Sequence, residues 1–143
     1  YYEKKSSPKQ GISKAVLKGK RILLAEDNDL NAEITTTILE NEGMLVDRAA
    51  DGVQCVDKID RMPAGTYDLI LMDIQMPNID GYQATKLIRQ FADKEKADIP
   101  IIAMTANAFE EDKRNALAAG MNGHMAKPIH VDKLLLTLVE SIR

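Results

Sequence analysis

The stretch DLILMD, Asp68 to Asp73, sets four uninterrupted apolar residues between two carboxylates. An apolar run of this length without polar alternation reads as a strand covered on both faces, the condition of a parallel sheet. Four similar runs lie to either side: RILLA at 21–25, MLVDRA at 44–49, PIIAMT at 100–105 and GHMAK at 123–127. Amphipathic stretches separate them, with helix starts near Asp29, Asp51, Gly81, Ala108 and His130. Strand and helix thus alternate five times, which predicts an α/β fold with a parallel sheet and helices on both faces. Asp29 is read as the cap of the first helix. Gly43 and Gly120 follow the first and fourth helices, where a left-handed residue commonly ends a helix.

Composition sets the limits of this reading. At 143 residues and 45% hydrophobic content the chain can bury one core and is too short for two full domains. The single cysteine, Cys55, excludes an intramolecular disulfide framework and four-thiolate zinc sites. No run of eighteen or more apolar residues and no cleavable signal is visible, so a cytoplasmic location is expected. Residues 1–20 carry six Lys against one acid, Glu3, whereas residues 21–143 carry 13 basic and 21 acidic side chains, a net of −8. An acidic domain gives no support to direct nucleic-acid binding, and no membrane contact is expected of it. The opening residues 1–19 lack apolar periodicity and read as a linker, with the folded domain over 20–143. Tyr1 in place of a start Met favours a piece of a longer chain.

Function is written at the carboxyl ends of the strands. Glu26 and Asp27 follow the first, Asp73 ends the third, Thr105 ends the fourth and Lys127 the fifth. In open α/β sheets that edge is where sites are built. Two like charges about 4 Å apart at an effective dielectric near 20 repel by roughly 4 kcal/mol, so three converging carboxylates need neutralising. Lys127 and a hard divalent cation, magnesium or manganese, are the economical partners. With that charge in place Asp73 is suited to be a carboxylate nucleophile toward a phosphoryl group, Lys127 and Thr105 holding its oxygens. The alternating Asp27, Asp29 and Asn31 imitate a calcium loop. The sixth and twelfth places of such a loop require Gly and Glu and here hold Ala32 and Ile38, which excludes it.

The segments LLAEDN, YDLILMDIQMPNIDGYQATKLIR, IPIIAMTANAF and AGMNGHMAKPI resemble the receiver domain of two-component response regulators over residues 20–143. The resemblance implies a CheY-like, flavodoxin-like three-layer sandwich, with a five-stranded parallel sheet of order 2-1-3-4-5 and five helices. It implies Asp73 as phosphoacceptor, Glu26 and Asp27 as the acidic pair that places Mg2+, and Gln75 as a metal ligand through its backbone carbonyl. Thr105 matches the switch hydroxyl and Lys127 the lysine that pairs with the phosphoryl group, with a cis peptide between Lys127 and Pro128. Gly81 permits close backbone approach in the loop that Met76 and Pro77 begin. Many receivers place Tyr or Phe three residues before the lysine; here His124 stands there and is expected to be a partly exposed surface residue.

By the same resemblance, the phosphodonor partner is a histidine kinase domain or a histidine phosphotransfer protein, and a homodimer on phosphorylation is a further partner. The wording of EDNDLN and AMTANAF resembles receivers at the carboxyl end of hybrid sensor histidine kinases, the cytoplasmic part of a membrane-anchored protein. In that setting the domain itself performs at most slow autodephosphorylation, and the kinase activity belongs to the parent chain. A stand-alone single-domain regulator and a magnesium-dependent phosphohydrolase are the alternatives. Phosphorylation is expected to draw Thr105 and Ala106 inward and to reshape the face of the fourth helix, fifth strand and fifth helix.

Overall fold

The structure is a computed structural model and describes residues 15–106 and 110–142. Five parallel strands form one sheet, β1 Arg21–Ala25, β2 Leu45–Ala49, β3 Leu69–Asp73, β4 Ile101–Thr105 and β5 Gly123–Ala126, in the order β2-β1-β3-β4-β5. The three central strands are buried almost throughout, which is why their sequences run apolar without alternation. Successive side chains point to opposite faces. Leu23, Ile70, Met72, Ile101 and Ala103 therefore enter one core, and Ile22, Leu24, Leu69, Leu71, Ile102 and Met104 enter the other. Edge strand β2 is more open, and Leu45 at its start is exposed.

Five substantial helices cover the two faces: α1 Asp29–Asn41, α2 Gly52–Arg61, α3 Gly81–Arg89, α4 Glu110–Ala119 and α5 Val131–Ser141. Cys55 and Ile59 of α2, Ala84 and Ile88 of α3 and Ala116 of α4 pack on one face. Leu39 of α1 and Leu134, Leu135 and Leu138 of α5 pack on the other. The expected three-layer sandwich with strand order 2-1-3-4-5 is what the chain forms. An additional single turn, Lys94–Ala97, precedes β4, and residues 15–17 are helical. Leu17 is fully buried in the second core, and the Gly19 amide donates to the Gly43 carbonyl at 2.8 Å. Packed structure thus begins ahead of residue 20.

Helix ends follow local chemistry. Gly43 and Gly120 adopt φ of 86° and 107°, as their places after α1 and α4 require. Asp51 caps α2, and Asp80 with Gln83 forms a reciprocal capping box on α3. The first helix corrects the expectation that Asp29 is its cap: Asn28 takes that role, its side chain accepting from the Asn31 amide at 2.9 Å. Asp29 is instead the first helical residue, and its carboxylate accepts from Arg48 Nη1 at 2.7 Å. His130 precedes α5 and makes no side-chain capping bond. The expected helix start at Ala108 lies outside the described residues.

Arg89, at the end of α3, ties together segments that share no sequence proximity. Its guanidinium donates to the carbonyls of Gly120, Ala97 and Ile99 at 2.9, 2.6 and 2.7 Å and to Asn122 Oδ1 at 2.9 Å. Asn122 Oδ1 also accepts from the Ile101 amide at 2.8 Å, so the same clamp fixes the entrance of β4. Arg89→Met keeps most of the stem and orphans these acceptors; the expected loss is about 2 kcal/mol in urea unfolding at unchanged m-value.

Candidate functional site

Parallel register brings the polar strand ends together. Ala25 lies opposite Met72, Asp73 opposite Met104, and Thr105 opposite Ala126, so residues 26, 73, 105 and 127 stand along one edge of four neighbouring strands. The Lys127 amide donates to the Thr105 carbonyl at 2.7 Å, which extends the β4–β5 ladder by one residue and fixes the lysine's starting point. From there its ammonium donates to Glu26 Oε1 at 3.0 Å and to Asp73 Oδ2 at 3.1 Å. The Lys127–Pro128 peptide is cis, as the resemblance implies. Glu26, Asp73 and Thr105 are buried, whereas Asp27 is exposed at the mouth. A cavity of about 540 Å³ opens beside them, lined by Asp27, Gln75, Met76, Thr105 and Ala106 among others.

One carboxylate oxygen from each of Glu26, Asp27 and Asp73 can be chosen so that all lie within 4.8 Å of one another. An octahedral magnesium ion with oxygens at about 2.1 Å holds its ligands roughly 3 to 4 Å apart. Modest side-chain rotation closes the difference, so this all-oxygen trio fits a small hard cation. The electrostatics tell the same story. Burial raises the Glu26 carboxyl above its ordinary 4.5, and the neighbouring Asp73 adds to the rise against the opposing pull of Lys127. Burial alone would depress Lys127, but its bonds to Glu26 and Asp73 and their charges outweigh that and raise it above 10.5. One ammonium shared between two buried carboxylates, with a third acid at the mouth, leaves negative charge in excess.

The loop after β3 is shaped around the Asp73 carboxylate. The Gln75 amide donates to Asp73 Oδ1 at 3.3 Å, and the Gly81 amide returns to the Ile74 carbonyl at 2.8 Å. A Cβ on Gly81 would stand 2.4 Å from the Asp73 carbonyl oxygen, so only glycine lets α3 begin this close to Asp73. Three contributors escaped the sequence reading. Asn78 adopts a left-handed φ of 73° and donates to Asp51 Oδ2 at 2.8 Å, pinning the loop to α2. Asn is the commonest non-glycine residue to do so, and its place in PNIDG was the available signal. Gly52 is held against Ile79, where a Cβ would lie 2.5 Å from the carbonyl oxygen. Arg48 donates from Nε to the Glu26 carbonyl at 3.0 Å while binding Asp29, which braces the acidic turn from β2. Nothing in the sequence around Arg48 marks it.

Other candidates stay apart from this site. Cys55 is buried, and burial alone pushes its thiol up to about 12, the condition of an inert core side chain. His124 is a half-buried residue of β5 and lines a separate groove with residues of α5. Among the described residues, no helix is long and apolar enough to cross a membrane.

Residues 22–139 match the response regulator receiver domain model. The chain is 37% identical over 129 residues to hybrid signal transduction histidine kinase B of Dictyostelium discoideum, covering 84% of the chain and 6% of that protein. It is 35% identical over 162 residues to histidine kinase 1 of Arabidopsis thaliana, covering 92% of the chain and 13% of that protein. The chain thus spans a small fraction of these relatives. Among solved structures, the receiver domain of sensor histidine kinase PA1611 from Pseudomonas aeruginosa PAO1, with a magnesium ion coordinated in its active-site cleft, superposes with a TM-score of 0.77 at 42% identity, covering 86% of this chain and 97% of that one. The complex of the Saccharomyces cerevisiae phosphotransfer protein Ypd1 with the receiver domain of Ssk1 gives 0.79 at 30% identity, covering 87% of this chain and 89% of that one. Because the family match runs from β1 into α5 and takes in every strand of the sheet, the chain belongs to the response regulator receiver domains.

Proposed function

We propose that this domain is the phosphoacceptor of a phosphorelay, with Asp73 taking a phosphoryl group from a phosphohistidine. The observation that carries the reading is the ammonium of Lys127 lying 3.0 Å from Glu26 and 3.1 Å from Asp73 at the edge of a site rich in uncompensated carboxylate. An Asp73 oxygen attacks phosphorus, the P–N bond to the donor imidazole breaks, and the electron pair leaves with the imidazole nitrogen, which takes up a proton. Lys127 pairs with the phosphoryl oxygens and Thr105 donates its hydroxyl to one of them, so the transferred charge meets donors already in place. Glu26, Asp27, Asp73 and the Gln75 carbonyl would hold Mg2+, or Mn2+ in its stead, which supplies charge neutralisation to the phosphoryl oxygens.

The phosphodonor is a histidine kinase domain or a histidine phosphotransfer protein; the named relatives and the Ypd1–Ssk1 complex support that class of partner. The domain serves as the receiver module of a longer hybrid kinase, with the residues that precede its Leu17 anchor as the tether. Incubation with acetyl phosphate and magnesium should add the mass of one phosphoryl group to the intact protein. Asp73→Asn, and wild type with excess EDTA, should show no gain. Equal modification of wild type and Asp73→Asn would refute the assignment.

A further inference from the structure

The cleft beside Asp73 holds a second nucleophile that phosphoryl transfer does not use. Met76 lines the cavity of about 540 Å³ together with Asp27, Gln75, Thr105 and Ala106. It is half-buried, and it also packs against the core that Met72, Ile74 and Ala84 help to build. A thioether needs no deprotonation to react, so access decides which methionines are oxidised.

Exposure separates the seven methionines into two groups. Met44, Met72, Met104, Met121 and Met125 are each 8% exposed or less, which leaves Met62 and Met76 open. Met62, 38% exposed, follows α2 and lines a small recess with Tyr67 and Ile99. Those two residues precede β3 and β4, so Met62 stands at the end of the sheet opposite Asp73. Met76 is therefore the accessible methionine at the phosphoacceptor end. The one thiol offers no competition, since Cys55 is buried and burial keeps it protonated.

We propose that Met76 is a site of reversible oxidation, at which a small peroxide converts the thioether to the sulfoxide and so slows phosphoryl transfer to Asp73. The sulfur attacks one peroxide oxygen, the S–O bond forms as the O–O bond breaks, and the proton on the transferred oxygen passes to the departing hydroxide, which leaves as water. Sulfur is oxidised by two electrons and the peroxide is reduced by two. A sulfoxide is polar where the thioether was apolar, so packing against the core no longer favours the side chain's place. Its neighbour Gln75 donates its amide to Asp73 Oδ1 at 3.3 Å, and a shift of residue 76 disturbs that bond. The new oxygen also brings partial negative charge to a cavity already lined by Asp27, Asp80 and Asp112, while the Lys127 ammonium is shared between Glu26 and Asp73. An arriving phosphoryl group then meets one more acceptor and no new donor. The slowing rests on the phosphoacceptor assignment of Asp73; the oxidation itself does not.

The test treats the full chain with hydrogen peroxide and locates the added oxygen by peptide mass spectrometry. Met76 and Met62 should each gain one oxygen while the other five methionines gain none. Labelling by acetyl phosphate and magnesium should slow by about fivefold after oxidation. Methionine sulfoxide reductases for both epimers should restore it. Met76→Leu, a volume-conserving change, should label at one rate before and after peroxide, whereas Met62→Leu should slow as wild type does. Oxidation of Met62 without Met76, an unchanged rate after complete oxidation at Met76, no recovery on reduction, or an equal loss in Met76→Leu would each overturn the inference. Absence of labelling in untreated protein would refute the phosphoacceptor assignment and with it the slowing, and the position of the added oxygen alone would then decide the oxidation.

Discussion

Lys127→Met should destabilise the metal-free protein by about 3 kcal/mol at pH 8, since removing one partner of a buried charge pair strands the other. Two acceptors lose their donor at once: Glu26, 2% exposed, and Asp73, 5% exposed. The deficit should depend on pH in a definite sense. Glu26 already has a folded value raised above 4.5 by burial and by Asp73, and Lys127 is the group holding it down. Without the lysine the folded state binds a proton more readily than the unfolded chain. Stability then falls as pH rises from 4.5 through the folded value, and the deficit shrinks at pH 5 relative to pH 8. In wild type the matching contribution of Lys127, raised above 10.5, is fully present below that pH and is lost as pH rises through its folded value. Magnesium should recover part of the loss in the variant by restoring positive charge among the same oxygens. Urea unfolding at the two pH values, with and without magnesium, checks all three statements; a deficit equal at both pH values and indifferent to magnesium would mean that Lys127 acts by packing alone.

Gly81→Ala should cost about 3 kcal/mol, near the upper end for overpacking, because the added carbon has nowhere to go. It would meet the Asp73 carbonyl oxygen at 2.4 Å, Ile74 Cα at 3.0 Å and Met72 Cγ at 3.0 Å, and two of these are backbone. The strain falls on the end of β3, so the position of Asp73 should suffer with stability, and magnesium affinity should drop in the fraction that remains folded. Gly65→Ala is the informative comparison. Its φ of 86° imposes a left-handed penalty of about 1 kcal/mol, but its nearest neighbour is the Glu95 carboxylate at 3.3 Å, which can move aside. Gly65→Ala should therefore lose about a third as much stability and leave magnesium binding as it was.

The sheet was legible because burial on both faces leaves a plain mark: LILM and IIAM can only be central strands, and each lies one residue inside its expected run. The convergence of residues 26, 73, 105 and 127 was legible from their shared place at strand ends, and the register brings them to one edge. What the sequence hid was decided by competition or by distance. Asn28 and Asp29 are both good caps, and Arg48, arriving from β2, claims Asp29 and leaves the cap to Asn28. Leu17 sits in a lysine-rich stretch whose composition reads as linker, yet one leucine suffices to anchor it to the core. The Arg89 clamp reaches residues up to 33 positions away, and nothing local announces it.

The most direct measurement is chemical location of the phosphoryl group. Protein treated with acetyl phosphate and magnesium, then reduced with borohydride, has any acylphosphate converted to the corresponding alcohol, which for aspartate is homoserine. Peptide mass spectrometry should find homoserine at position 73 alone, and only where magnesium was present. Phosphate on His124 or His130, 5-hydroxynorvaline at position 26, homoserine at position 27, or a label indifferent to magnesium would contradict Asp73 as the acceptor.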